Sequence, residues 1–347
     1  MMIHFLIWGI AAFVISFVST VFVKHFAFRG GLIDRPSSPR KIHTRPIARL
    51  GGVSIYLAFA IVVVVLLLTT PFLTAGRISL WQYVGLLLGG AVLMLGGALD
   101  DRFDLPPNLS FIAPVLATFV LIVFGVGVEK LTNPFGGVIY LLPWQSDILV
   151  FVWMILVMYT TKFLDGLDGL ATSVSSIGAL MIFLLAQTVA YYQPDVSLLS
   201  AVAIGALLGF LFWNFHPASI FLGEGGSTFV GYLLGTLAII SGGKLATALL
   251  VLGIPLLDAV WVVLRRLRQG GLRRVFVGDR KHLHHRLFDL GWGQRRVMFV
   301  YMIVALLFGL STLFLQSRQK LVALILLGLV MLIAALLLVQ HERKDSV

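Results

Sequence analysis

Long apolar segments alternate with short polar connections along the chain. A helix needs roughly 20 apolar residues to cross a bilayer core of about 30 Å, and eleven segments reach or approach that length. The pattern predicts an all-α integral membrane protein with about 11 transmembrane helices in a single domain, residues 1–347. The eighth and ninth segments are separated only by Gly242 and Gly243. The segments lie near residues 3–23, 51–70, 81–99, 109–128, 147–163, 171–192, 197–213, 228–242, 244–264, 297–315 and 320–339.

The composition agrees with this pattern and excludes several classes of protein. Hydrophobic residues make up 59% of the chain and charged residues 12%, and the mean hydropathy is +1.01. A soluble globular enzyme or a nucleic-acid-binding module would need more polar residues to cover its surface. A disordered chain would contain far fewer hydrophobic residues. The first segment has no basic residues before it and no cleavage pattern after it, so we interpret it as a retained helix. The chain has no cysteine, so a metal would have to bind carboxylates or histidines.

The basic residues are divided unevenly between the two sets of connections. The formal net charge is +11, from 26 Lys and Arg against 15 Asp and Glu. With the N-terminus outside, 21 of the 26 basic residues fall in or beside the inner loops and in the C-terminal tail. Such an excess marks the cytoplasmic side, so we expect a cytoplasmic C-terminus and a location in the plasma (inner) membrane. The predicted cytoplasmic loops lie near residues 24–50, 100–108, 164–170, 214–227 and 265–296.

Two acidic motifs lie in these predicted cytoplasmic loops. Asp100 and Asp101 are adjacent at the end of the third segment. Adjacent carboxylates at a membrane boundary require a cation, and Mg²⁺ that bridges to substrate phosphates is the usual one. A solvated cap neutralised by Arg102 is the alternative. Asp165 and Asp168 lie three residues apart among glycines, so a helix would place both on one face; a turn in which Asp168 caps the next helix is the alternative.

Further ionisable residues flank these acids. Lys162 precedes Asp165 at the membrane edge, where it would either snorkel or contact phosphate. Glu224 lies between glycines just before Ser227 and Thr228, which suits a metal ligand beside an anion-binding helix N-terminus. A loop with a hydroxyl cap is the alternative. Asp258 lies within the ninth segment, where a structural role and a site role both stay open.

A histidine run in the longest basic loop completes the candidate chemistry. His282, His284 and His285 lie beside Arg286 and follow Arg280 and Lys281, which suggests a clamp for a diphosphate. No acid or cysteine lies at a recognised zinc-ligand spacing from them. A basic stripe on anionic lipid would explain the arginine and lysine residues but not the histidines.

Taken in chain order, these motifs resemble the polyprenyl-phosphate N-acetylhexosamine-1-phosphate transferases (the WecA/TagO/MraY superfamily, glycosyltransferase family 4). The histidine run is similar to the WecA/TagO branch rather than to MraY. The matching pieces are Arg40–His43, Arg49–Gly52, Leu99–Asp104, Asp165–Ala171, Gly223–Ser227 and His282–Arg286.

The resemblance implies a Mg²⁺-dependent enzyme, with Mn²⁺ as the alternative ion. It would transfer a sugar 1-phosphate from a UDP-N-acetylhexosamine to undecaprenyl phosphate or a related polyprenyl phosphate, releasing UMP at the cytoplasmic face. A second copy of the chain is a further candidate partner, besides the lipid bilayer. In this reading Asp100 deprotonates or orients the lipid phosphate, Asp101 and Glu224 serve the metal, and Asp165 and Asp168 are acidic groups of the cleft. The residues expected to bind substrate are Lys41, His43, Lys162, Asn214, His282, His284, His285 and Arg286.

Two positions depart from the pattern of the family. Lys162 stands where the family usually has Asn, and Glu224 stands where it usually has Asp. Neither change removes an acid, so we expect an active enzyme whose choice of sugar is the open question.

Two other functions fit part of the sequence. An intramembrane UbiA-like prenyltransferase shares the Asp-Asp-x-x-Asp pattern of Asp100, Asp101 and Asp104 but needs no histidine run. A transporter or lipid flippase would place ionisable residues in the middle of the membrane on broken helices, whereas those of this chain gather on one predicted face.

Overall fold

The computed structural model describes residues 2–36, 43, 45–242, 244–270 and 282–344. Helices dominate these residues. Two small antiparallel sheets accompany them, one formed by β1 (Ile33–Asp34) and β2 (Ile47–Ala48), the other by β3 (Lys130–Thr132) and β4 (Val138–Tyr140). The helices are α1 (Met2–Arg29), α2 (Gly51–Thr69), α3 (Leu80–Phe103), α4 (Pro107–Ser110), α5 (Ile112–Val123), α6 (Pro143–Leu164), α7 (Leu170–Gln187), α8 (Pro194–Asn214), α9 (Gly223–Ile240), α10 (Leu245–Val251), α11 (Gly253–Gly270), α12 (Leu283–Asp289), α13 (Gln294–Phe314) and α14 (Ser317–Lys344).

Each apolar segment identified in the sequence lies largely within helix, but α5 ends at Val123, α7 ends at Gln187, and the segment near 244–264 is divided between α10 and α11. Among the described residues, seven helices are long and apolar enough to cross a membrane, namely α1, α2, α3, α6, α7, α8 and α13. The helices α10 and α11 meet at a bend of 79° and together form one further candidate span. The all-α membrane architecture is therefore confirmed, while the number of 11 spans and their orientation stay predictions.

Helix α9 lies at the centre of the bundle. Every residue from Gly225 to Ile239 is buried, and α9 packs against α2, α3, α6 and α7. A Cβ at Gly52 of α2 would overlap Gly226, and one at Gly97 of α3 would overlap Gly225. Small residues at these crossings let the helix backbones approach closely, as is common in membrane bundles. The close approach places the start of α9 beside the acidic end of α3.

A short backbone ladder ties the loop before α2 to the loop before α9. Asp34 pairs with Ile47 across β1 and β2, and Ala48 forms a parallel bridge with Ile220. The Gly51 N–H then donates to the Phe221 carbonyl at 2.9 Å. Strands of two residues are too short to produce a recognisable hydrophobic periodicity, so the sequence does not predict this ladder.

Candidate functional site

The carboxyl-terminal ends of α3, α6 and α8 meet the start of α9 around a cleft of about 340 Å³. The cleft brings together eight of the predicted site residues. The lining residues are Asp34, His43, Arg49, Asp100, Asp101, Asp104, Lys162, Asp165, Gly166, Leu167, Asp168, Asn214, Phe221, Gly223, Glu224, Ser227 and Gln294. The predicted Lys41, and the motif residues Asp279, Arg280 and Lys281, lie outside the described residues.

Asp100 and Asp104 lie where α3 ends. Asp100 is buried, and its carboxylate accepts hydrogen bonds from the Leu105 N–H at 3.1 Å and from the Ser110 hydroxyl. Asp104 follows the helix with a positive φ of 52°, a conformation that Asp adopts more readily than most residues. The end of the helix therefore holds the Asp100 side chain toward the cleft.

Asp101 is connected to the predicted metal ligand Glu224 and to Arg49, which the sequence analysis did not single out as a site residue. Its carboxylate accepts the Glu224 N–H at 3.0 Å and forms an ion pair with Arg49 at 3.7 Å. Arg49 also donates to Asp34 at 2.7 Å. Burial lowers the pKa of Arg49, but the three carboxylates of Asp34, Asp101 and Glu224 raise it, and the net direction is upward. Arg49 is therefore a fixed cation that joins the ladder before α2 to the acidic end of α3.

Asp165 and Asp168 lie in the turn between α6 and α7, not on one helical face. Asp168 accepts the Ala218 N–H at 3.0 Å and pairs with His216 Nδ1 at 2.7 Å. Asp165 retains some access to the cleft but lies deep in the protein. Burial raises its pKa well above the usual value, and the nearby Glu224, Asp168 and Asp101 raise it further. The raised pKa therefore reflects both the burial of this turn and the crowding of acidic side chains around it.

Lys162 and Glu224 form an ion pair across the cleft. The distance between Lys162 Nζ and Glu224 Oε2 is 2.5 Å, and the Tyr159 ring centre lies 5.6 Å from the same nitrogen. The contact joins one ammonium to one carboxylate oxygen, so it is a monodentate ion pair. The two positions that depart from the family pattern are thus direct neighbours.

Asn214 and His43, which the sequence analysis expects to bind substrate, also line the cleft. Asn214 is buried, and both ends of its amide are used within the protein: it donates to the Ile220 carbonyl at 3.0 Å and accepts from Thr172 at 3.1 Å. His43 lies 3.6 Å from Asp34. Asn214 therefore fixes the loop before α9 as well as facing the cleft.

The predicted histidines pack behind the acidic turn and are absent from the lining residues. His284 is buried, and a Cβ at Gly166 would overlap its Nε2 atom. Burial lowers the pKa of His284, as do the neighbouring His285 and His282, so it is neutral near pH 7. The His282 ring stacks on Phe163 at a centroid distance of 5.4 Å. Arg286 lies on the same short helix, α12.

Asp258 of α11 anchors this histidine helix. The Asp258 carboxylate contacts His282 Nδ1 at 2.8 Å and accepts the Leu283 N–H at 2.9 Å. Both side chains are buried. The contact favours the structural role that the sequence left open for Asp258.

We expect Asp258→Ala to destabilise the protein by about 1–3 kcal/mol, because the buried His282 ring and the Leu283 N–H lose their acceptor. Thermal unfolding of the purified protein in detergent measures this effect. Glu129→Ala, which removes an exposed acid next to β3, is the control. An unchanged unfolding temperature for Asp258→Ala would contradict the anchoring role.

The cleft fits a magnesium ion in charge and in donor type. Its described lining residues include seven carboxylates but only two permanently cationic side chains, Arg49 and Lys162. Oxygen donors are those that Mg²⁺ prefers. In the part of the chain that the structure describes, no three His, Asp or Glu side chains converge on one metal position. Mg²⁺ in phosphate-handling sites commonly takes one or two carboxylates and completes its shell with water and substrate phosphates.

The bundle and this cleft define a multi-pass membrane protein with a polar, acidic site at one end. The family model for glycosyl transferase family 4 matches residues 83–242, which include Asp100, Asp101, Asp165, Asp168 and Glu224. The chain belongs to this family.

Curated relatives carry consistent names. The decaprenyl-phosphate N-acetylglucosaminephosphotransferase of Mycobacterium tuberculosis is 33% identical over 97% of this chain and 89% of its own length. The undecaprenyl-phosphate alpha-N-acetylglucosaminyl 1-phosphate transferase of Thermotoga maritima is 30% identical over 86% of both chains. The protein of the same name from Escherichia coli is 28% identical over 86% of this chain and 80% of its own. The chain is therefore similar to phosphosugar transferases along nearly its whole length.

Proposed function

We propose that this protein transfers N-acetylglucosamine 1-phosphate from a UDP-sugar to undecaprenyl phosphate or another polyprenyl phosphate, releasing UMP. The acidic cleft carries the proposal, because its residues lie at one end of an apolar bundle. A soluble, charged sugar nucleotide and a membrane-anchored phosphate can both reach such a position. The relatives named above act on polyprenyl phosphates. The reaction would begin the membrane stage of the synthesis of a cell-envelope glycan.

We further propose that the cleft faces the cytoplasm across the plasma (inner) membrane. The positive-inside count supports this orientation, and UDP-sugars are made in the cytoplasm. Neither a prenyltransferase nor a transporter is favoured, because the family and the relatives both point to sugar-phosphate transfer.

The reaction balances as a phosphoryl transfer. An oxygen of the lipid phosphate forms a bond to the phosphorus of the sugar 1-phosphate, and the bond from that phosphorus to the UMP oxygen breaks. UMP leaves with the bridging oxygen and the electron pair. This balance holds both for direct attack and for a route through a phospho-aspartate. Phosphoryl transfer needs alignment and charge neutralisation more than covalent chemistry.

Each carboxylate has a distinct part in this scheme. Asp100 orients the lipid phosphate and accepts its remaining proton, while its bonds to Leu105 and Ser110 fix its direction. Glu224 and Asp101 would hold Mg²⁺, or Mn²⁺ in its place, and the ion would neutralise the phosphate oxygens. Asp165 and Asp168 keep the cleft acidic, which favours a bound cation.

The direct test is an assay of the purified protein with UDP-N-acetylglucosamine, undecaprenyl phosphate and Mg²⁺. We expect release of UMP and formation of a lipid-linked sugar diphosphate, both abolished by EDTA and restored by added Mg²⁺. Omission of the lipid acceptor is the control. Absence of UMP release with every UDP-N-acetylhexosamine tested would refute the proposed function.

A further inference from the structure

The ion pair between Lys162 and Glu224 is the starting point. Its atoms lie 2.5 Å apart, and the contact joins one ammonium nitrogen to one carboxylate oxygen. Such a single contact lacks the second, parallel hydrogen bond of a bidentate pair between an arginine and a carboxylate. Such a contact can be exchanged for another cation more easily than a bidentate pair can.

The two cationic side chains among the described lining residues are not equivalent. Arg49 lies between the carboxylates of Asp34 and Asp101, with distances of 2.7 Å and 3.7 Å. Lys162 pairs with one carboxylate, that of Glu224, and its ammonium also faces the Tyr159 ring. Arg49 is therefore held by two acids, whereas Lys162 has an aromatic face to which its charge can turn.

We infer that Lys162 is a resident counter-ion of the cleft, which occupies Glu224 in the metal-free protein and must leave it when a divalent cation binds. This inference rests on the proposed function only for the placement of the metal at Glu224. The ammonium and a divalent ion cannot both lie in contact with the same carboxylate oxygen, because like charges repel strongly at such distances.

The competition has two consequences for this chain. The apparent affinity for the divalent ion is the intrinsic affinity multiplied by the fraction of time that Lys162 leaves Glu224 free. The displaced ammonium stays in the cleft, within reach of the Tyr159 face, and becomes available to a phosphate of the substrate. The departures at Lys162 and Glu224 therefore act together, since the longer Glu side chain reaches the ammonium.

The test is the binding of Mn²⁺, measured by electron paramagnetic resonance on purified protein in detergent without substrate. We expect Lys162→Asn and Lys162→Met each to tighten Mn²⁺ binding about tenfold, because the competing cation is gone. Lys162→Arg keeps a cation and should bind Mn²⁺ about as weakly as the original protein. Lys130→Asn, in the exposed strand β3, is the matched control for loss of one positive charge.

A double variant identifies the carboxylate involved. Glu224→Gln in the Lys162→Asn background should abolish the gain in Mn²⁺ affinity, and thermal unfolding of each variant reports whether the fold is intact. Unchanged or weaker Mn²⁺ binding by folded Lys162→Asn and Lys162→Met proteins would overturn the inference. If UMP is still released in that case, the proposed function stands and only the inference about Lys162 fails. If Mn²⁺ binding tightens but no UMP is released, the inference stands and only the proposed function fails.

Discussion

Asp100→Asn is expected to lower the rate of sugar-phosphate transfer by about 10³-fold, because the variant can neither accept the proton of the lipid phosphate nor complement its charge. Asparagine has the same shape as aspartate. Its carbonyl can accept the Leu105 N–H, and its amide can donate to the Ser110 hydroxyl in reverse of the present bond. The loss should therefore fall on kcat, with the unfolding temperature almost unchanged.

Asp104→Asn supplies the matched control for this prediction. It removes one negative charge from the same end of α3 and from the same cleft. UMP release by both variants, normalised to the amount of folded protein, separates a specific role of Asp100 from a general loss of charge. Near-normal turnover by Asp100→Asn would show that its assigned role is wrong.

Much of the fold follows from the hydrophobic pattern, because a lipid exterior imposes helices of nearly constant length. Each apolar segment is largely helical, and the central position of α9 is consistent with its run of small and apolar residues. Other features depend on contacts between distant segments. The 79° bend between α10 and α11, for example, lies beside Gly253 and Pro255, which the hydropathy pattern alone does not mark as a break.

The site could be predicted where its ionisable residues are grouped in short motifs of the sequence. The carboxylates of Asp100, Asp101 and Glu224 meet in one cleft, as their shared predicted face suggested. Asp34 and His216 were missed because neither belongs to an acidic or histidine cluster. Their partners, Arg49 and Asp168, lie 15 and 48 residues away along the chain.

The histidines show the opposite case. Their motif is conspicuous in the sequence, but the side chains pack behind the acidic turn and do not line the cleft. Three histidines beside basic residues suggest contact with phosphate, but His282 is bound to Asp258 and His284 is buried against Gly166. Their roles toward substrate stay predictions. Burial of a ring behind a turn depends on the packing of α11 and α12, which spacing along the sequence does not encode.

Asp165→Asn is expected to have opposite effects on activity and stability. Transfer should fall about 10²-fold or more, because the cleft loses a carboxylate that favours a bound cation. The metal-free protein should nevertheless unfold at a higher temperature. Burial, and then the charges of Glu224, Asp168 and Asp101, raise the pKa of Asp165 well above its value in the unfolded chain. Removing the charge relieves this repulsion, as at other sites where function costs stability.

The same pKa shift predicts a pH dependence with a definite sign. Between the ordinary pKa of an aspartate and the raised pKa of Asp165, the folded protein binds more protons than the unfolded chain, so stability falls as pH rises through that window. Unfolding temperatures measured in EDTA across this range should decline for the original protein and decline less for Asp165→Asn. Asp104→Asn is the control, since Asp104 lines the same cleft but is not among the charges that raise the pKa of Asp165. A lower unfolding temperature for Asp165→Asn in EDTA would mean that the buried carboxylate is stabilised by contacts rather than strained by its acidic neighbours.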